Sequence, residues 1–221
     1  TRAQANAPTS IPHHFRLAFE SILAAFPCRP ETLNPQLAAP RAPLNPIMST
    51  TRRMSINDIF SFNQVNLDSL TETYNLLWYF EYFSKWPEHQ NVVLNPENQV
   101  MAYIIGKSEG AGETWHGHVS AVTVGPAYRR IGLASKLMRV LEEASTQSDC
   151  YFVDLFVRVS NVVAIEMYRR FGYVVYRTIL KYYSGEENAY DMRKALPRDV
   201  QKKSMVPLKN PVNPWEIELT M

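Results

Sequence analysis

The stretch GPAYRRIGLASKLM, residues 125–138, has the residue types of an anion-binding turn. Arg129 and Arg130 place two positive charges just before Gly132 and Ala134, whose small side chains let a ligand approach the backbone. Leucines then recur at every fourth residue, which predicts one apolar face of a helix. A helix N-terminus presents unpaired N–H groups and a partial positive charge, and together these bind phosphate. The alternative is an ordinary loop with a basic cap, because so short a pattern also arises by chance.

Alternating and helical patterns around this turn predict the element order β-α-α-β-β-β-α-β-α-β-β. This order indicates an α+β domain with a mixed, mostly antiparallel sheet of about seven strands flanked by four helices. The predicted strands cover 51–55, two segments of 91–108 joined by a turn at 95–98, 115–124, 150–159, 173–183 and 189–196. The predicted helices cover 56–66, 76–86, a segment from about 133, and 162–171.

Capping residues mark the ends of two of these helices. Ser55 and Asp58 have the spacing of a capping box and predict one helix through residue 66. Asn161 can cap the last helix, and Gly172 can end it. The predicted buried face of that helix consists of Ala164, Met167, Tyr168 and Phe171.

Composition excludes several classes of protein. With 46% hydrophobic and 20% charged residues the chain is globular, and a formal net charge of +2 argues against general affinity for DNA. Cys28 and Cys150 lie far apart, so we expect neither a disulfide nor a metal site, and a reducing, cytoplasmic location. No apolar run approaches the roughly 18 residues that a membrane span needs.

Proline usage divides the chain. Residues 1–47 contain eight of the 15 prolines, no lysine, and Glu20 and Glu31 as their acidic residues. We interpret this segment as a disordered arm, an organelle transit peptide, or an extension upstream of a start at Met48. The folded domain is predicted over 48–196, followed by an extended tail over 197–221.

The residues of the turn match a known family motif. Residues 129–134 fit the pattern Q/R-x-x-G-x-G/A and so resemble the GNAT superfamily of acetyl-CoA-dependent N-acetyltransferases. A dinucleotide-binding turn is excluded, because it needs more glycines and follows a first strand. Longer segments resemble the NatB family of amino-terminal acetyltransferase catalytic subunits over about 48–219. They are NLDSLTETYN, WHGHVSAVTVGPAYRRIGLA, VDLFVRVSNVVAIEMYRRFGY and YYSGEENAYDMRKAL.

The resemblance implies a GNAT fold with acetyl-CoA as co-substrate. It places the pyrophosphate at Arg129, Arg130, Gly132, Leu133, Ala134 and Ser135, and the pantetheine beside the backbone of Val122 and Val124. Tyr168 would protonate the leaving thiolate, or alternatively it is a core residue. Asn161 is either a cap or a group near the cofactor and the amine.

The resemblance also implies a set of substrate-facing residues. Strand alternation puts His118 and Ser120 on one face, where His118 is either the base or a substrate contact, whereas His116 is interpreted as structural. Two loops would close over the peptide, one with Glu72 and Tyr74 and the other with Tyr182 and Tyr183. Substrates of this family begin with Met followed by Asp, Glu, Asn or Gln, whose side chains share a hydrogen-bond-accepting oxygen.

The same family implies partners. They are nascent polypeptide N-termini, a helical-repeat auxiliary subunit, and the ribosome through that subunit. Apolar residues in 56–66 and 76–83 suit the interface with the subunit. Two other functions remain open at this point, a lysine or small-amine acetyltransferase and a non-catalytic acetyl-CoA-binding module.

Overall fold

The computed structural model describes residues 48–66, 71–184 and 186–217, which contain seven strands, five α-helices and five short 3-10 helices. The predicted arm over 1–47 lies outside these residues. None of the helices described here has the length and apolar character to cross a membrane. The strands are β1 Thr50–Arg53, β2 Asn91–Leu94, β3 Val100–Glu109, β4 His116–Val124, β5 Phe152–Arg158, β6 Val174–Tyr183 and β7 Glu187–Ala195. The helices are α1 Asn63–Asn66, α2 Leu76–Lys85, α3 Leu133–Gln147, α4 Val162–Arg170 and α5 Pro214–Ile217.

The strands form one mixed sheet in the order β1-β2-β3-β4-β5-β7-β6. Strands β4 and β5 are parallel, and the other neighbours are antiparallel. The predicted α+β fold class is confirmed, including the number of strands.

The parallel strands β4 and β5, in the middle of the sheet, separate from each other at one end. Their register runs from His116 opposite Phe152 to Val119 opposite Leu155. Both strands continue beyond these residues, β4 to Val124 and β5 to Arg158, without pairing to each other in the described chain. The two strands therefore diverge and leave a cleft in the middle of the sheet.

A helical layer covers each face of the sheet. Apolar residues of α3 and α4, among them Leu137, Leu141 and Ile165, pack with β4 and β5 in one core cluster. On the other face α1 and α2 pack over β2 and β3 through an aromatic cluster that includes Tyr79, Tyr82 and Tyr103. The cleft thus lies between two cores that hold its walls in place.

The first predicted helix is broken in the structure. Instead of one helix over 56–66, a 3-10 helix covers Ile56–Phe60 and the single turn of α1 follows it. The Ser61 backbone N–H and hydroxyl both donate to the carbonyl of Asp58, at 3.0 and 3.2 Å. Serine hydroxyls compete with helical backbone bonding, which accounts for the break.

The ends of α4 are where the sequence predicts them. Asn161 Oδ1 accepts from the N–H of Ala164, and Gly172 has a positive φ of 93° after the last turn. The buried face is partly different, because Ile165 and Tyr168 are buried whereas Ala164, Met167 and Phe171 are half-buried.

The C-terminal segment is folded against β6 where it was expected to be extended. Val212 exchanges backbone hydrogen bonds with Thr178 and Leu180 of β6, both at 2.9 Å. Ile217 of α5 is buried against Ile179 and Ala189. Its prolines rule out long ladders, but a short parallel bridge and one apolar anchor are enough to dock it.

Candidate active site

The turn before α3 has the backbone of an anion site. Gly132 lies in the left-handed region with a φ of 89°, and Arg130 also has a positive φ of 66°. Gly132 is the N-cap and has no side chain to occupy the first N–H groups of α3. Gly132, Arg129 and Arg130 are exposed, whereas Leu133 is buried and anchors the helix. These features hold the amides of Leu133, Ala134 and Ser135 at an accessible helix start.

A bulge in β4 shapes the edge of the cleft. Val119 pairs with Gly106 and Ala121 with Ile105, so Ser120 is the extra residue. The Gly125 N–H bonds to Met101 O of β3, and the groups of alternate residues point the other way. The N–H groups of Val122 and Val124 therefore face the cleft, as required of an oxyanion donor. Arg129 Nε donates to Val124 O at 3.1 Å, which fixes the arginine at this edge.

Tyr168 is a core residue in this structure, with 7% of its surface exposed. Burial raises the pKa of its phenol above the ordinary value, so the hydroxyl stays protonated at neutral pH. A protonated phenol is the form that can give a proton to a thiolate. Asn161 acts as the cap of α4, and its cap bond of 3.2 Å leaves the amide nitrogen available at the start of that helix.

His118 is held by a carboxylate that the motif analysis missed. Its Nδ1 lies 2.7 Å from Asp154 Oδ1, and its ring meets Phe156 edge-on at 5.0 Å. Because a carboxylate only accepts, Nδ1 carries the proton and Nε2 is the basic nitrogen. Burial alone would raise the pKa of Asp154, but the neighbouring His116, His118 and Arg193 hold it well below its usual range.

The predicted substrate tyrosines meet at the mouth of the cleft. The Tyr74 hydroxyl donates to Ser120 O at 3.4 Å, and Tyr183 donates to Phe156 O at 3.1 Å. Tyr182 packs edge-on against Phe156 at 5.1 Å, and burial raises the pKa of its phenol to about 12. The Ser120 hydroxyl donates to Tyr82 at 3.0 Å, so Ser120 is occupied on two sides.

Arg158 links Glu72 to the β6–β7 hairpin, and the motif analysis missed this residue as well. Its guanidinium donates to Glu72 Oε1 at 2.5 Å and to Glu187 Oε2 at 3.0 Å. It also lies 4.1 Å above the Tyr183 ring, a cation–π contact. The sequence contained a signal for both missed residues. One side of β5 is apolar, with Val153, Leu155 and Val157 in the core. Asp154 and Arg158 alternate with these residues and therefore lie on the other side of the strand.

Comparison with known proteins agrees with this geometry. The family model for the acetyltransferase (GNAT) family matches residues 59–173. The chain belongs to the GNAT acetyltransferase family. The predicted family and its acetyltransferase activity are thus confirmed.

Individual relatives are more specific. The chain is 58% identical over 172 residues, 77% of the chain and 99% of the relative, to the Arabidopsis thaliana N-terminal acetyltransferase B complex catalytic subunit NAA20. It resembles the crystal structure of Chaetomium thermophilum Naa20 in complex with a bisubstrate analogue. That match has a TM-score of 0.71 and 38% identity, and it covers 76% of this chain and 98% of the other. A structure of the NatB acetyltransferase complex bound to CoA and MES matches at a TM-score of 0.63 and 40% identity, over 67% of this chain and 99% of the other. The predicted resemblance of this GNAT protein to NatB catalytic subunits is confirmed.

Proposed function

We propose that the chain transfers an acetyl group from acetyl-CoA to the N-terminal α-amine of proteins that begin Met-Asp, Met-Glu, Met-Asn or Met-Gln. It does so as the catalytic subunit of a NatB-type complex. The observation that carries the proposal is the diverging β4–β5 pair. The α3 amides follow the end of β4, and the His118, Tyr182 and Tyr183 side chains gather around Phe156 of β5. Relatives that match over nearly their whole length support the same assignment.

The phosphate-binding turn and the oxyanion donors bind and orient acetyl-CoA for the reaction. The amides of Leu133, Ala134 and Ser135 and the charges of Arg129 and Arg130 bind the pyrophosphate of acetyl-CoA. The pantetheine then runs along the free edge of β4. As the amine nitrogen attacks the thioester carbonyl, the N–H groups of Val122 and Val124 stabilise the developing oxyanion.

Two proton transfers complete the exchange. The C–S bond breaks, and the thiolate takes the phenolic proton of Tyr168, which solvent later restores. The attacking amine loses its proton to His118 Nε2 or to water. A weak base is sufficient, because an α-amine has a pKa near 8 and is partly neutral in the cell, whereas a lysine near 10.4 is not.

Selection of the second residue follows from the available donors. The Tyr74 and Tyr183 hydroxyls are already bonded to backbone carbonyls, so they fix the walls of the pocket. The Tyr182 hydroxyl remains to donate to the substrate side chain, as does His118 in the form that also carries a proton on Nε2, with Glu72 near the amine. Neutral donors serve carboxylate and amide oxygens alike, whereas a dedicated arginine would favour the acids.

The proposed auxiliary subunit has a candidate docking surface. Five large apolar side chains of the first 3-10 helix and α2 are exposed, namely Ile56, Phe60, Leu76, Leu77 and Phe80. Exposed apolar patches of this kind mark protein–protein interfaces. The similar solved structure is that of a NatB complex, which supports the proposal that this chain also works within a complex. Through that subunit the enzyme would meet nascent chains at the ribosome, in the cytoplasm.

The test is a panel of peptides that differ in one feature each. A peptide beginning Met-Asp with a free amine should be acetylated, and Met-Asn, Met-Glu and Met-Gln should react with kcat/KM within about tenfold of it. A peptide beginning Met-Lys, and a Met-Asp peptide blocked at its amine but carrying an internal lysine, should not react. Acetylation of the blocked peptide would instead identify a lysine acetyltransferase. If none of the peptides were acetylated, the proposed reaction would be contradicted.

A further inference from the structure

We propose that Glu109, His116 and His118, supported by Asp154, form a binding site for a transition-metal cation of the zinc type. Each of the first three offers a ligand atom, and these atoms lie within 4.8 Å of one another. Imidazole and carboxylate together are a donor set that Zn²⁺ prefers. The proposal goes beyond acetyl transfer and differs from the expectation, drawn from cysteine usage, that the protein has no metal site.

The orientation of His116 points to a cation. Its Nδ1 lies 2.6 Å from the carbonyl of Thr114, so Nδ1 carries the proton and donates it. Nε2 then faces Asp154 Oδ2, 3.5 Å away, and Glu109 Oε1, 3.9 Å away. Without a metal, a proton on Nε2 makes His116 the cation that lowers the pKa of Asp154, and loss of that proton frees a lone pair for a metal. The His116 side chain is 1% exposed. His116 and Asp154 are buried and Glu109 is 26% exposed, so two carboxylates and an imidazole nitrogen lie together where a positive charge between them is stabilising.

The distances favour a metal over a proton as that charge. A protonated imidazole holds a carboxylate oxygen at about 2.7–2.9 Å. The two separations here are longer, and His116 Nε2 and Asp154 Oδ2 have no hydrogen-bond partner among the described residues. Tetrahedral zinc with bonds of about 2.0–2.2 Å separates its ligand atoms by about 3.3–3.5 Å. The atoms of Glu109 and His116 are 3.9 Å apart and all three ligand atoms lie within 4.8 Å, so small side-chain movements bring them to that spacing.

The surroundings give the site support and access. Asp154 Oδ1 bonds to His118 Nδ1 and so orients that ring, as carboxylates do for metal-binding histidines. Phe152 stacks on His116 at 4.7 Å and restricts its rotation. Lys107 is paired with the Oε2 atom of Glu109, which leaves Oε1 directed to the site. Glu109 is partly exposed and provides the path of entry.

Calorimetry with ZnCl₂ alone, on the full chain freed of metal by EDTA, tests the proposal. We expect one Zn²⁺ per chain with a micromolar or tighter Kd, and at least tenfold weaker binding for Glu109→Gln. Glu113→Gln, an exposed carboxylate nearby, is the matched control and should bind as the wild type does. His13 and His14 are adjacent histidines in the segment 1–47 and offer a competing pair of zinc ligands. A double His13→Gln, His14→Gln variant should therefore retain the site. Co²⁺ should give the visible absorption of a four-coordinate ion in the wild type and not in Glu109→Gln.

Two outcomes would overturn the site. One is a wild type that binds no Zn²⁺, and the other is a Glu109→Gln variant with the wild-type Kd. His116→Gln should abolish binding, and if this buried change prevents folding the partly exposed Glu109 variant decides the question alone. Bound Zn²⁺ should also raise the KM for peptide and not for acetyl-CoA, because it occupies His118, which the proposed function places on the peptide side of the cleft. That consequence rests on the proposed function, whereas the binding experiment does not.

Discussion

At the scale of single residues, Tyr168 is the main candidate for a catalytic role, and the alternative is that it only packs in the core. It is buried in the core of α3, α4 and the sheet, and burial alone raises the pKa of its phenol. Buried tyrosine hydroxyls usually have a partner. Burial keeps this hydroxyl protonated, so under the proposed mechanism it can donate its proton to the leaving thiolate.

Tyr168→Phe separates the two roles. We expect kcat to fall by about 10²-fold, because general acid catalysis contributes on this order, while the affinity for acetyl-CoA changes little. Tyr173→Phe is the matched control, since it removes another buried phenol, one that bonds to Glu142 at 3.0 Å. It should cost about 1 kcal/mol of stability and leave kcat unchanged. Steady-state kinetics and calorimetry measure both, and equal kcat values for the two variants would remove Tyr168 from the mechanism.

Arg158 is expected to act by positioning. Arg158→Lys keeps the charge but loses the fork that reaches Glu72 and Glu187 together, so both peptide loops loosen. The KM for peptide should rise about tenfold, a loss of about 1.4 kcal/mol, with kcat and the KM for acetyl-CoA nearly unchanged. Arg169→Lys, at an exposed i,i+3 pair with Glu166, should behave as the wild type. A fall in kcat alone would argue against a positioning role.

At the scale of elements, the turn before α3 is where the backbone matters most. Gly132→Ala puts a side chain on a residue with a φ of 89°, and the added Cβ has open space around it. Gly112 has a φ of 56° and is equally open, so Gly112→Ala is a matched control for strain. Both variants should lose about 1 kcal/mol of stability. Gly132→Ala alone should weaken CoA binding by tenfold or more, measured by calorimetry, and equal CoA affinities would contradict a phosphate site here.

The junction of β1 with the first 3-10 helix should be acid-sensitive. Burial tends to raise the pKa of Asp58, but two bonds from Arg52 and one from the Ser55 N–H hold it below its usual value. With the folded pKa lowered, the stabilisation is complete above about pH 4 and is lost as the pH falls through the folded value. Asp58→Asn should therefore lower the free energy of unfolding by about 1 kcal/mol at pH 7 and by progressively less below pH 4. The figure is small because Arg52 is half-exposed and solvent screens its charge.

Urea unfolding at pH 7 and pH 3 measures this change. Glu81→Gln, which removes an exposed pair with Lys85, should show a small cost, about 0.3–0.5 kcal/mol at pH 7. An Asp58→Asn penalty that stays constant between the two pH values would contradict the lowered pKa.

The elements themselves were largely predictable from local signals. Alternation, turn residues and caps are properties of neighbouring residues, so the strands, the turn at 95–98 and the Asn161 cap follow from the sequence. The divergence of β4 from β5 and the bulge at Ser120 depend on distant partners, so no local pattern carries them. The same reason hides the pairing of His118 with Asp154 and of Arg158 with Glu72, whose partners are 36 and 86 residues away.

At the scale of the whole molecule, the exposed apolar surface on α2 and the first 3-10 helix predicts a partner. Leu77 is 77% exposed, and Leu77→Asp should weaken binding of the auxiliary subunit by at least a hundredfold while CoA binding is retained. Val200→Asp, at a residue of the C-terminal segment that is 85% exposed, is the control and should bind normally. Co-purification and calorimetry measure the complex. A fully active monomer with no need of a partner would count against this surface as an interface.

The central claim is that one cleft holds the pyrophosphate at the start of α3 and a protein N-terminus at the mouth between the two substrate loops. The most direct test is calorimetry with CoA and with CoA joined through an acetyl group to the amine of a Met-Asp peptide. We expect the joined ligand to bind at least tenfold more tightly than CoA, because both halves of the cleft are then filled. No binding of CoA, even with the auxiliary subunit present, or equal affinity for the two ligands would contradict the account.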